Sequence, residues 1–118
     1  MALDGFGRIM CGDTARMELF QAEWCPHSHR VRQRLTELGI DFTARQVPAE
    51  PDDRTAMREA AGTDEIPVLV ADDGEIVSGE DAILDHLNDR HDERADAPRH
   101  RAKARVEVPT FAELLGGG

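Results

Sequence analysis

The residues of this chain best equipped for chemistry stand in one short run, Cys25-Pro26-His27-Ser28. A thiol is a nucleophile in its thiolate form, and its natural reaction partner is a disulfide sulfur. The chain has only one other cysteine, Cys11, which is too few for a disulfide scaffold in 118 residues and points to a reduced setting with one reactive thiol. Zinc also accepts thiolate and imidazole, and Cys25, His27 and His29 lie close in sequence. On a helix, however, residues two apart face different sides, so the two imidazoles do not converge, and no metal is expected. Two further runs complete the set: the Ile66-Pro67 dipeptide, and Ser78-Gly79-Glu80-Asp81, where two acids stand together.

Positioning these runs requires regular elements. Met17 to Phe20 reads as a strand. Pro26 suits the first turn of a helix, where its missing N–H costs nothing. Val31, Leu35 and Leu38 then recur at helical spacing, and Gly39 with Ile40 supplies a C-terminal cap and its hydrophobic contact, predicting a helix over 26–38. A strand over 41–47 ends at Pro48, and a short helix over 53–61 stops at Gly62. Ile66 to Val70 reads as a third strand, Asp72-Asp73-Gly74 as a hairpin turn, and Glu75 to Val77 as the returning strand. Ser78, with Asp81 three residues on, forms a capping box that opens a last helix carrying Ile83, Leu84 and Leu87. The order strand, helix, strand, helix, strand, strand, helix predicts an α/β domain in which a mixed four-stranded sheet is covered by three helices. Cys25 then stands at a helix N-terminus, where unpaired N–H groups and the helix dipole favour a thiolate. Arg30 and Arg32 assist if they point back, and Glu23 opposes.

Composition bounds the reading further. Hydrophobic residues make up 40% and charged residues 32%, ordinary for one globular domain. No run is long and apolar enough to span a bilayer, and Met1 to Gly12 lacks the apolar core of a signal peptide, so a cytoplasmic protein without a membrane partner is expected. A net charge of −10 argues against nucleic-acid partners, because phosphates are repelled. The chain divides into a loose leader over 1–15, a folded domain over 16–90, and a tail over 91–118. Residues 94–118 carry five basic against three acidic side chains. That tail reads either as a solvated end or as a helix folded back on the acidic body or on a partner.

Trp24-Cys25-Pro26-His27-Ser28, Ile66-Pro67 and Ser78-Gly79-Glu80-Asp81, in this order and at these distances, resemble the three active-site segments of glutaredoxins and of the related N-terminal domain of glutathione S-transferases. The resemblance runs from about Arg16 to Arg90. It implies a thioredoxin-like fold and a glutathione-dependent thiol–disulfide oxidoreductase, with glutathione or a related small thiol as co-substrate and glutathionylated or disulfide-bonded proteins as partners. A monomer or weak dimer is expected. Ser28 occupies the place of the second cysteine of dithiol relatives, implying a monothiol reaction through Cys25. The Ser28 hydroxyl then either donates to the thiolate or caps the helix. His27 stands where the family often has tyrosine. Pro67 matches the family's cis-proline, and the backbone of Ile66 would pair with the cysteinyl part of glutathione. The helix N-terminus behind Gly79 would hold the γ-glutamyl carboxylate. Glu80 or Asp81 would hold its amine, although two acids there also suit simple capping.

The sequence also departs from the family. Ala22 stands where glutaredoxins commonly carry a lysine, implying a different grip on glutathione. Cluster-carrying monothiol members typically read Cys-Gly-Phe-Ser, not Cys-Pro-His-Ser. A thiol-binding or iron–sulfur-binding module without turnover is the competing expectation. The 28 residues after Arg90 are too few for the second, helical domain of the transferases. Cys11 either resolves Cys25, if the leader folds over the site, or remains a free thiol.

Overall fold

The structure, a computed structural model, describes residues 17–108. The leader over 1–15, Cys11 and the end of the tail after Val108 lie outside the described residues. The elements run β1 (Met17–Gln21), α1 (Pro26–Leu38), β2 (Phe42–Gln46), α2 (Thr55–Ala61), β3 (Val68–Val70), β4 (Ile76–Ser78), α3 (Glu80–Arg90) and α4 (Ala97–Glu107). The strands form one mixed sheet in the order β2-β1-β3-β4. β1 pairs with β2 in parallel, Leu19 opposite Ala44, while β1–β3 and β3–β4 are antiparallel. This is the α/β sheet the sequence predicts, with a thioredoxin-like topology.

Strand alternation divides the core between the two faces. Met17 and Leu19 of β1, Leu69 and Val77 face one side and pack with Val31, Leu35 and Leu38 of α1 and Ile83 and Leu87 of α3. Phe20 and Val68 face the other side and pack with Met57 of α2. The apolar stripe of α1 is buried as its spacing requires. Gly39 ends the helix at φ +72°, and the amides of Gly39 and Ile40 bond the carbonyls of Thr36 and Leu35 at 3.1 and 2.9 Å. The positive φ explains the glycine.

Four local expectations are corrected. The third strand begins at Val68, because Ile66 and Pro67 form a cis peptide that leads into the sheet rather than pairing within it. The expected helix over 53–61 is a 3-10 turn at Pro51–Asp53 followed by α2 from Thr55. The Ser78–Asp81 capping box does not form. Ser78 is still in the sheet, opposite Val68, so the helix starts one residue later, with Gly79 as the N-cap at φ +93°. Finally, the helices number four among the described residues rather than three, because the tail forms α4.

α4 shows how little apolar surface is needed when polar contacts are dense. Ala97 is its one buried residue. The amide of Arg94, just before it, donates to the Glu37 carbonyl at 3.0 Å and satisfies a free carbonyl near the end of α1. Arg101 donates to Glu37 at 2.9 Å and to Glu93 at 2.6 Å, and Arg34 of α1 reaches the same two carboxylates.

Another arginine organises the segment between β2 and β3. Arg54 is buried, and its guanidinium donates to the carbonyls of Pro48 (2.8 Å), Ala49 (3.0 Å) and Asp64 (2.7 Å). Arg58 adds bonds to Pro51, Asp52 and the Asp64 carboxylate. Together they hold the chain that arrives at Pro67. Among the described residues no helix is long and apolar enough to cross a membrane.

Candidate functional site

Cys25 closes the turn between β1 and α1. Its amide bonds the Ala22 carbonyl at 3.2 Å, and its own carbonyl accepts the first bond of α1 from His29 at 3.0 Å. Cys25 is therefore the N-cap. Its Sγ does the work usually given to a serine or aspartate oxygen, accepting the Ser28 backbone N–H at 3.4 Å. Sulfur thus lies on the Ser28 amide in the first turn of α1, where negative charge is stabilised. Cys25 is 5% exposed, while its neighbours Trp24 and His27 are open to solvent, Trp24 at 54%.

Ser28 is fully buried, and its Oγ has no hydrogen-bond partner among the described residues. Neither role proposed for its hydroxyl is realised. Cys25 caps the helix, and Ser28 at the third helical position contributes its backbone N–H instead. Arg30 and Arg32 are also engaged elsewhere. Arg32 bonds the Gln21 side chain, the Ala22 carbonyl and Glu23, while Arg30 donates to Glu80 at 3.2 Å. Glu23 is turned to solvent on Arg32.

The three segments separated in sequence meet here. The Gly79 amide donates to the Pro67 carbonyl at 3.0 Å, joining the start of α3 to the cis-proline. His27 Nδ1 lies 2.7 Å from Glu80 Oε1, joining α1 to α3. An ionised carboxylate only accepts, so Nδ1 carries the proton of this bond. An open groove of about 520 Å³ lies between them, lined by His27, Ile66, Pro67 and the run from Ser78 to Ala82. Pro67 is buried in its floor, and Ile66 is half-buried beside it. Asp81 is exposed at the groove, and Gly79 leaves open space where a side chain would stand. Two other clefts, of about 400 and 320 Å³, lie around Ile40 to Phe42, and none of the predicted site residues lines them.

Glu80 was predicted as a ligand-holding or capping residue. Its tie to His27 and Arg30, 53 and 50 residues away, had no local signal in the sequence. Its side chain is 12% exposed. Burial pushes its carboxyl up, but the His27 and Arg30 hydrogen bonds outweigh this and hold it below the ordinary carboxylate range. Among the described residues, no three His, Cys, Asp or Glu side chains lie close enough together to hold a metal ion.

Comparison with known proteins agrees with this geometry. Residues 24–90 match the glutathione S-transferase N-terminal domain. No curated protein matches the chain significantly. Among solved structures, a rice glutathione S-transferase in complex with glutathione is 25% identical, with a TM-score of 0.57 over 77% of this chain and 44% of that one. A diazinon-metabolizing glutathione S-transferase of the silkworm Bombyx mori is 27% identical, with a TM-score of 0.56 over 64% of this chain and 38% of that one. Glutaredoxin 2 from Salmonella typhimurium, in complex with glutathione, shares the fold at 19% identity and a TM-score of 0.54, over 78% of this chain and 44% of that one. The chain thus spans less than half the length of each of these proteins. With its thioredoxin-like sheet, its cis-proline and a match over residues 24–90, the chain belongs to the glutathione S-transferase N-terminal domain family.

Proposed function

We propose that this domain binds glutathione, or a related small thiol, in the groove that His27 lines at the start of α1, and reduces mixed disulfides by a monothiol reaction through Cys25. The observation that carries the reading is the position of Cys25: the one thiol among the described residues, N-capping α1 with Sγ on the Ser28 amide, two residues before His27, which lines a groove with the cis-Pro67 and Glu80 segments. The thiolate of Cys25 attacks the glutathione sulfur of a protein–glutathione disulfide. The protein leaves as a thiolate and takes a proton from water, and Cys25 now carries the glutathionyl group. The thiolate of a second glutathione attacks that glutathionyl sulfur, oxidised glutathione departs, and Cys25 is restored as a thiolate. One disulfide is consumed and one is formed. Ser28 in place of a second thiol leaves no route to an internal disulfide within the run. The neighbours that were solved with glutathione, and the family match, support the ligand class.

A second reading, a domain that holds the thiol ligand without turnover, is favoured by the shielding of Cys25. The test is a deglutathionylation assay on a mixed-disulfide substrate with wild type, Cys25→Ser and Cys11→Ser. The oxidoreductase reading expects turnover in wild type and Cys11→Ser, and none in Cys25→Ser. Loss in both variants makes Cys11 a resolving thiol. Ligand binding with no turnover in a folded wild type rejects the enzyme and leaves the binding domain.

A further inference from the structure

Glu80 and Asp81 are the two acidic side chains lining the groove that could receive a ligand's ammonium, and both oxygens of Glu80 already have donors from α1. His27 Nδ1 holds Oε1 at 2.7 Å, and Arg30 holds Oε2 at 3.2 Å. At 12% exposure, the carboxylate offers little room for a third donor, although its lone pairs would accept one. The two donors are not equal. Arg30 carries a fixed charge and does not line the groove, whereas His27 lines the groove and is 65% exposed. His27 is therefore the partner that an incoming group meets first and displaces most easily.

We propose that His27 is a positioning residue that competes with the ligand's ammonium for Glu80, and so lowers the selectivity of the groove for thiols bearing a free α-amine. The proposal rests on the thiol-binding reading above. With His27 in place, a ligand gains little from an ammonium, because it must break the His27–Glu80 bond to use it. With His27 removed, Oε1 is free, and an ammonium gains a charge-assisted hydrogen bond in a nearly covered site. Asp81 is the rival acceptor: it is exposed at the groove, and no hydrogen bond holds it among the described residues.

The test uses the full chain and two unreactive probes: S-methylglutathione, and its analogue with the α-amine replaced by hydrogen. Trp24, the only tryptophan of the chain, lies beside the site and reports binding by fluorescence, with calorimetry as the check. The readout is the ratio of the two dissociation constants, which a general loss of structure does not move in a chosen direction. The expected ratio is within about threefold in wild type and about tenfold or more in His27→Ala, as one charge-assisted bond supplies. It returns to the wild-type value in His27→Ala/Glu80→Gln. A large ratio already present in wild type and unchanged in His27→Ala overturns the proposal in favour of Asp81. A ratio near one in both overturns it as well. No binding of either probe to wild type overturns the thiol-binding reading itself, and the proposal with it.

Discussion

Two acidic clasps are built on helix α1, and they differ in what surrounds them. At the start of α1, Glu80 is held by Arg30 and by the exposed imidazole of His27, at the edge of a groove. Near the end of α1, Glu37 is 7% exposed and is held by Gln33, Arg34 and Arg101, while Glu93 takes the same two arginines. The second clasp matches two carboxylates with two guanidiniums, one of them from α4, and so ties α4 to α1. The first has one partner that can be given up beside an opening. Closed clasps of this kind fix a helix, whereas a clasp with an exposed member beside a cavity has a place where a ligand can enter the exchange.

This comparison can be broken or sharpened by measurement. The largest effect is expected at the closed clasp. Glu37→Ala removes the one buried carboxylate of the clasp and leaves two guanidiniums sharing the part-exposed Glu93, and we expect a loss of about 2 kcal/mol in urea unfolding, with binding of S-methylglutathione unchanged. A change under about 0.5 kcal/mol would mean that α4 is seated by other contacts. A smaller effect is expected in acid. Hydrogen bonds from Arg101 and then Arg34 hold the Glu93 carboxyl at about 2, below its ordinary 4.5. A depressed folded value stabilises fully above the unfolded value and is lost as pH falls through the folded one, so the clasp weakens between about 4.5 and about 2. Thermal midpoints should fall across that window, and fall less in Glu93→Gln; equal slopes for both proteins would refute the assignment. The smallest stability effect belongs to the open clasp. Its arginine and histidine are exposed, so Glu80→Gln should change stability by no more than about 0.5 kcal/mol. A loss well beyond that would mean that Glu80 is part of the scaffold rather than of the groove.

The sequence made some of this legible and hid the rest, for reasons that are local. α1 could be read because its stripe, its proline and its glycine cap all lie within fifteen residues. The three site segments could be read because each has its own short signature. The α3 cap misled because Ser78 satisfies two patterns, and pairing with Val68, ten residues earlier, decided between them. α4 could not be settled because it buries one alanine and is held instead by Glu37, sixty-four residues from Arg101. The His27–Glu80 bond was invisible for the same reason: nothing in either neighbourhood announces a partner that only the fold brings near.

Arg54 has a consequence for how the groove meets its ligands. A planar fork with five N–H donors can grip several carbonyls at once, which the single ammonium of a lysine cannot copy. By bridging residues 48–49 to residue 64, it fastens the chain that leads into Ile66 and Pro67. The groove therefore has one bank approached by a chain tied through Arg54 and one bank closed by the exposed His27 on Glu80. On the thiol-binding reading proposed above, a ligand would meet the same backbone edge at Ile66 whatever its other end carries, and discrimination would fall to the His27 side.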